Sequence, residues 1–354
     1  MRAVRGGAGF SVFGNSAVLF AAALTVDTQS PRDLPYAQKT RTVFHTPHTH
    51  QHMSIGEPQP IENAADVYYV DTGMYDVPQY GSVYIVDAER PAIIDTGTGG
   101  DYDAVAGALD ELGIDLEFIV PTHVHLDHAG GAGRLLEDHP DAEVRIHERG
   151  VRHLVEPDRL VAGTKSAVGD QWQYYADPVP VPEDRIEGLQ DGDELDLGDR
   201  TLVAHEAPGH APHQHVFHEP DEGIVFTADA AGLYVSAEDT IRETSPPPQF
   251  DLDQARRDVS MIADLEPETL AFAHFGPREF DADLLSDYKR TLVEWVQAVK
   301  QKRAELGNDE AVVEHFVAHA DEMAGAETWG ERKAEAEARL NTKGVLAYLE
   351  QEEQ

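Results

Sequence analysis

The run Pro121-Thr-His-Val-His-Leu-Asp-His128 decides how the rest of this chain is read. Within six residues it places three imidazoles and a carboxylate, at His123, His125, Asp127 and His128. A buried core wants apolar groups, and imidazole is usually only partly buried, so packing does not account for that density. Two metal ions held side by side do account for it. Histidine is the commonest metal ligand, and a carboxylate offsets the charge of the cations. The flanks agree. Phe118-Ile119-Val120 is a short apolar run rich in β-formers and reads as a buried strand. Gly130, Gly131 and Gly133 follow, where a chain must turn tightly beside a site. The cluster is therefore expected on a loop that leaves the carboxyl end of a strand and opens a helix near Ala129–Asp138. Such loops carry chemistry on a rigid scaffold.

The run resembles the His-x-His-x-Asp-His signature of the metallo-β-lactamase superfamily, and further motifs of that family follow in order. Asp95, in Ala92-Ile-Ile-Asp-Thr-Gly97, matches the aspartate that ends an early strand and supports the metal loop. It also fits a purely structural role, accepting backbone N–H groups after a strand. His210, in Ala207-Pro-Gly-His-Ala-Pro212, matches the third metal motif. Asp229, in Val225-Phe-Thr-Ala-Asp229, matches the bridging carboxylate, and His274, in Leu270-Ala-Phe-Ala-His-Phe-Gly276, the last histidine ligand. The resemblance spans roughly residues 60 to 280.

It implies an α/β fold, a four-layer αβ/βα sandwich, with a helical C-terminal extension. It also implies two divalent ions. His123, His125 and His210 would hold one, and Asp127, His128 and His274 the other, with Asp229 shared. Zinc accepts both sets, and nitrogen and oxygen donors also admit iron or manganese. Flavodiiron-type members carry a Glu where this chain has His125, together with a flavin domain that is not evident here. That departure favours hydrolysis over electron transfer. The implied reaction uses a hydroxide held between the metals, which Asp127 orients and from which it accepts a proton. Tyr234, five residues past Asp229, is a second catalytic candidate, as a donor to the oxyanion or leaving group; packing is its other reading. No residues are assigned to any further cofactor.

The expected substrate is a small molecule with an ester, thioester or lactone-type bond. The Pro-Gly-His element and single-domain layout look most like the glyoxalase II-like branch, although no clear basic cluster for a glutathione carboxylate is visible. Histidine/aspartate-only β-lactamases share the ligands, and a non-catalytic metal-binding relative is the alternative of a different class. A phosphodiesterase of the RNA-processing branch would bring an inserted nucleic-acid domain and a positive surface.

Composition bounds the partners. The 354 residues carry 66 acidic and 27 basic side chains, a net charge of −39. Such a chain repels nucleic acid. Its acidity resembles that of proteins from a salt-saturated cytoplasm, where ionic strength screens the repulsion, and a halophilic, cytoplasmic protein is expected. There is no cysteine, which excludes disulfides, a thiol nucleophile and the β-lactamase subclasses with a cysteine ligand. Residues 1–52 differ from the rest, with five basic and two acidic residues and His45, His48, His50 and His52. Arg2 and Arg5 before the apolar run Ala17–Leu24 mimic a secretory signal, too short to span a membrane. The charge switch at Met53 fits instead a start residue there. The segment is expected to be disordered or a miscalled extension.

Residues 53–281 form the expected catalytic domain and 282–354 the helical extension, which covers the site or makes a homodimer contact. Between the first two metal motifs, residues 148–190 bring Trp172, Tyr174 and Tyr175 together, as a substrate wall or an ordinary packed insert. Of His213, His215 and His218, the first two share a face in strand alternation, next to the metals or simply packed. His139, His147, His153 and His205 read as ordinary histidines.

Overall fold

Alternation along short apolar strands sets the layers. In Ser82–Val86, Val83 and Ile85 face one side, and Tyr84 and Val86 the other. In Phe118–Val120, Ile119 faces the first side, and Phe118 and Val120 the second. Strands with both faces apolar must be covered on both, which calls for helices outside and a second sheet inside.

The computed structural model describes residues 54–354, so the expectations for residues 1–52 lie outside the described residues. It shows that four-layer arrangement. The first sheet has seven strands, in the order Gln59–Pro60, Val67–Asp71, Ser82–Val86, Ala92–Ile94, Phe118–Val120, Glu143–His147 and Ile186–Leu189. The early pairs are antiparallel, and pairing is parallel from Ala92–Ile94 onward. The second sheet runs Gly276–Glu279, Thr269–Phe272, Ile224–Ala228, His215–Glu219, Thr201–Glu206 and Glu194–Asp196, with one parallel pair, Ile224–Ala228 against Thr269–Phe272. Phe118, Val120, Leu202, Phe217, Phe226 and Ala271 fill the space between the sheets. Helices Tyr102–Leu112 and Ala132–Asp138 cover the first sheet. Leu252–Asp264, Ala282–Leu306, Asp309–Val317 and Glu331–Glu352 cover the second and share its outer core, around Trp295 and Phe316.

Three departures from the sequence reading matter. The helix expected near Ala129–Asp138 is two helices, Leu126–Ala129 and Ala132–Asp138. They break at Gly130, where a Cβ would lie 2.3 Å from the Leu126 oxygen and 2.6 Å from that of Thr98. The insert at 148–190 ends in a strand, Ile186–Leu189, that extends the first sheet. The chain after Pro277 is not helical at once, because Gly276–Glu279 pairs back on Thr269–Phe272.

Helix Leu252–Asp264 starts on Asp251, whose side chain accepts the Gln254 N–H at 2.8 Å, an N-cap. Two turns on, Asp258 accepts the Gly209 N–H at 2.6 Å and so fixes the backbone just before His210. Burial pushes the Asp258 carboxyl up to about 6. Its folded-state value thus lies above its unfolded one, so ionisation opposes folding. Stability should fall as pH rises from about 4 to about 6 and then level off, relative to a chain without the group. Melting curves of wild type and Asp258→Asn at both ends of that window test this: the variant gains on the wild type toward higher pH. A gap independent of pH would show that Asp258 titrates normally.

Candidate metal centre

Four strand ends and one hairpin loop bring the sequence-predicted ligands together. Asp95 directly follows Ala92–Ile94, and the run His123–His128 follows Phe118–Val120. Asp229 follows Ile224–Ala228, and His274 lies two residues past Thr269–Phe272. His210 sits in the loop between Thr201–Glu206 and His215–Glu219. Asp95 and Ala228 adopt left-handed backbone conformations, with φ of 62° and 48°. Such strain gathers at functional sites.

Hydrogen bonds fix which ring nitrogen is free in His123, His128 and His274. Asp95 Oδ1 accepts both the N–H and the hydroxyl of Thr122, each at 2.8 Å. Thr122 has therefore given away its hydroxyl hydrogen and can only accept from His123 Nδ1, 3.1 Å away. Asp95 Oδ2 takes the hydrogen of His128 Nδ1 at 2.9 Å, and the Tyr80 carbonyl takes that of His274 Nδ1 at 3.1 Å. In each neutral ring Nε2 is left with its lone pair. Such outer partners set tautomer and orientation at metal sites. The three-nitrogen group closes on His125 Nδ1, 2.9 Å from His123 Nε2 and 3.1 Å from His210 Nε2. Asp229 faces both groups: Oδ2 is 3.3 Å from His210, and Oδ1 is 3.4 Å from His128 and 3.5 Å from His274. Asp127 Oδ2 is 4.0 Å from His274 Nε2.

This donor set fits divalent cations. His128 Nε2 and Asp229 Oδ1 are buried, adjacent and without a hydrogen-bond partner. The two atoms face each other across 3.4 Å, and either a proton on His128 or a metal cation fills the gap between them. Burial and the neighbouring imidazoles push His123 and His210 well below the ordinary range, and burial takes His125 down to about 4, so all three are neutral donors. Burial also disfavours charge on His128, but Asp229, Asp95 and Asp127 outweigh it and hold the ring at about 10. A metal entering there displaces a proton.

A cavity of about 1140 Å³ opens onto His125, Asp127, His210, Asp229 and His274. Its walls hold residues that the sequence reading passed over. Tyr75, in a left-handed conformation with φ of 61°, sets its hydroxyl 3.5 Å from Asp127 Oδ2 and 2.5 Å from the Tyr175 hydroxyl. Its backbone carries no motif, so no sequence signal marked it. Of the aromatic trio only Tyr175 lines the cavity; Trp172 stacks on it at 5.2 Å. The C-terminal helices, expected to cover the site or make a homodimer contact, send in Lys333 and Glu337, paired at 2.8 Å, and Glu337 accepts the Tyr80 hydroxyl. Arg149, Arg152 and Arg159 line the cavity from the insert. Tyr234 departs from its expected catalytic role. It is absent from the cavity wall, its ring stacks on Phe272 and its hydroxyl donates to Asp239 at 2.9 Å. His213 lines the cavity and stacks parallel to His123, with ring centres 6.2 Å apart.

The family model of the metallo-beta-lactamase superfamily matches residues 76–274. The metallo-beta-lactamase fold-containing protein ST1585 of Sulfurisphaera tokodaii is 27% identical over 215 residues, 59% of this chain and 78% of that protein. The acyl-coenzyme A thioesterase MBLAC2 of Gallus gallus is 28% identical over 180 residues, 46% of this chain and 62% of its own length. Among solved structures, the metallo-beta-lactamase family protein TTHA1429 of Thermus thermophilus superposes with a TM-score of 0.55 at 23% identity, over 77% of this chain and 89% of that one, a likeness of fold.

Proposed function

The chain belongs to the metallo-beta-lactamase superfamily, and from that premise we propose that it is a hydrolase with two divalent metal ions, cleaving acyl thioesters of a phosphorylated carrier of the coenzyme A kind. His123, His125 and His210 would hold one ion and Asp127, His128 and His274 the other, with Asp229 available to both. Bound there, the ions supply a nucleophile from water near neutral pH and polarise the scissile carbonyl. Asp127 Oδ2, facing the cavity, accepts the water's proton. Tyr75 donates to Asp127 or to the oxygen that gains charge, held for this by Tyr175.

The observation that carries the substrate class is the group Arg149, Arg152 and Arg159. In a chain of net charge −39, none of these three guanidinium groups is paired with a carboxylate among the described residues. Arginines on a cavity wall suit phosphate, which a guanidinium grips with paired hydrogen bonds. The likeness to an acyl-coenzyme A thioesterase supports the same class.

The metal-loaded chain, assayed in concentrated salt to screen its charge, should hydrolyse acyl-coenzyme A in preference to lactones, β-lactams, phosphodiesters and acyl-glutathione. Arg152→Ala combined with Arg159→Ala should raise KM by roughly 10–100-fold with kcat kept, since hydrogen bonds to charged groups contribute about 1.5–3 kcal/mol each. An unchanged KM, or a lactone or β-lactam as the better substrate, would overturn this reading. Tyr75→Phe should lower kcat roughly tenfold or more at full metal content, whereas Tyr234→Phe stays within about twofold of wild type. The reverse ranking would return the donor role to Tyr234.

A further inference from the structure

We propose that His147, Glu206 and His215 form a third metal site, distinct from the pair at the cavity and suited to one divalent ion of the zinc class. His147 ends the strand Glu143–His147 of the first sheet. Glu206 and His215 are cross-strand partners in the second sheet. Both histidines are buried, their rings stacked with centres 4.6 Å apart and planes 17° from parallel. Glu206 Oε1 is 3.3 Å from His147 Nε2, and one donor atom from each of the three lies within 4.8 Å of the others.

His215 carries the argument. Its side chain is 0% exposed, and neither ring nitrogen has a hydrogen-bond partner. A phenylalanine would fill the same space with no stranded polar atom, so an imidazole there costs free energy until something binds it. Burial holds the ring neutral, down at about 3, with a lone pair to give. Two imidazoles and a carboxylate make a nitrogen-rich set that zinc accepts, with one position left for water. Glu206 is partly exposed and gives an ion its way in. One contact has to yield. The Arg149 N–H now points at His147 Nδ1, 3.1 Å away, and that nitrogen must carry the proton when Nε2 binds metal. The loaded site therefore turns the Arg149 peptide. An ion here also braces the main centre, because the His215 N–H donates to the Thr122 carbonyl at 2.9 Å and Thr122 in turn is held by Asp95.

The test is zinc-edge anomalous diffraction from crystals of the full chain soaked in excess zinc, with metal counts on wild type, Glu206→Gln and His215→Phe. The expected map has a peak between His147, Glu206 and His215, and each variant loses about one ion per chain while keeping its other metal. Without metal, His215→Phe should melt above wild type; with zinc, only wild type should gain from the third ion. Glu206→Gln changes a partly exposed group and serves if His215→Phe does not fold. No peak at this position, or equal metal counts in all three proteins, overturns the proposal. Failure of the dinuclear reading shows separately, as missing peaks at His123–His128, Asp229 and His274.

Discussion

Asp229→Ala is expected to cost the protein at least one metal ion per chain and to lower kcat/KM by about a thousandfold or more, on the scale of losing a main electrostatic element of a site. The reason is positional. Among the described residues, Asp229 is the one carboxylate with an oxygen toward each group, at 3.3 Å from His210 and 3.4 and 3.5 Å from His128 and His274. Without it the three-nitrogen group keeps its ligands, but the second group is left with Asp127, His128 and His274. The fold should survive. The carboxylate is buried, burial pushes it up, and removing it takes away a group that is poorly satisfied when no cation is present. The metal-free variant should therefore melt no lower than metal-free wild type, while most of the rise in melting temperature on adding zinc is lost. Metal analysis, melting curves with and without zinc, and turnover test all three statements. A variant with full metal content and activity would remove Asp229 from the site.

The second large effect is expected far from any ligand. Gly344 lies in the helix Glu331–Glu352, and a Cβ on it would stand 1.6 Å from the Ser245 carbonyl oxygen. That oxygen cannot retreat. The Ser245 N–H donates to Asn341 Oδ1 at 2.6 Å, its hydroxyl donates to the Asn341 carbonyl, and Trp295 Nε1 donates to the same hydroxyl at 3.1 Å. Gly344→Ala must push the helix away from this knot. A loss of about 2–3 kcal/mol follows, read as a fall in melting temperature of roughly 3–5 °C. The same helix carries Lys333 and Glu337, and the segment after Ser245 lines the cavity through Pro246–Pro248, so KM should rise as well. A variant that melts with wild type would mean the helix sits further from Ser245 than the structure places it.

Much of this was legible in the chain. His123, His125, Asp127 and His128 are close in sequence and state their chemistry together. His210, Asp229 and His274 are single residues, readable only through the resemblance to the family's later motifs. The strands Phe118–Val120, Ile224–Ala228 and Thr269–Phe272 announce themselves by apolar density, since both their faces are covered. Gly276–Glu279 has no such signal; its pairing comes from the strand before it. Ile186–Leu189 lies in an insert read only as a substrate wall or a packed segment, with no strand pattern of its own. The cavity wall was the least legible part. Tyr75, Lys333 and Arg152 stand far apart in the chain, and only tertiary packing gives them a common neighbour. The arginines lie in an acidic background, so a count of charge conceals what their grouping reveals.

The ligands also divide by sheet. His123, His125, Asp127 and His128 belong to the first, and His210, Asp229 and His274 to the second. Each proposed ion would therefore be a stitch across the seam of the sandwich, and the protein should breathe along that seam when unstitched. Amide hydrogen exchange after chelation should quicken first in the loops at 121–130, 207–214 and 229–232, while the strands between Phe118 and Phe226 stay closed. A molecule clasped at one rim and packed dry at the other would open like a hinged case, with the proposed ions as its latch.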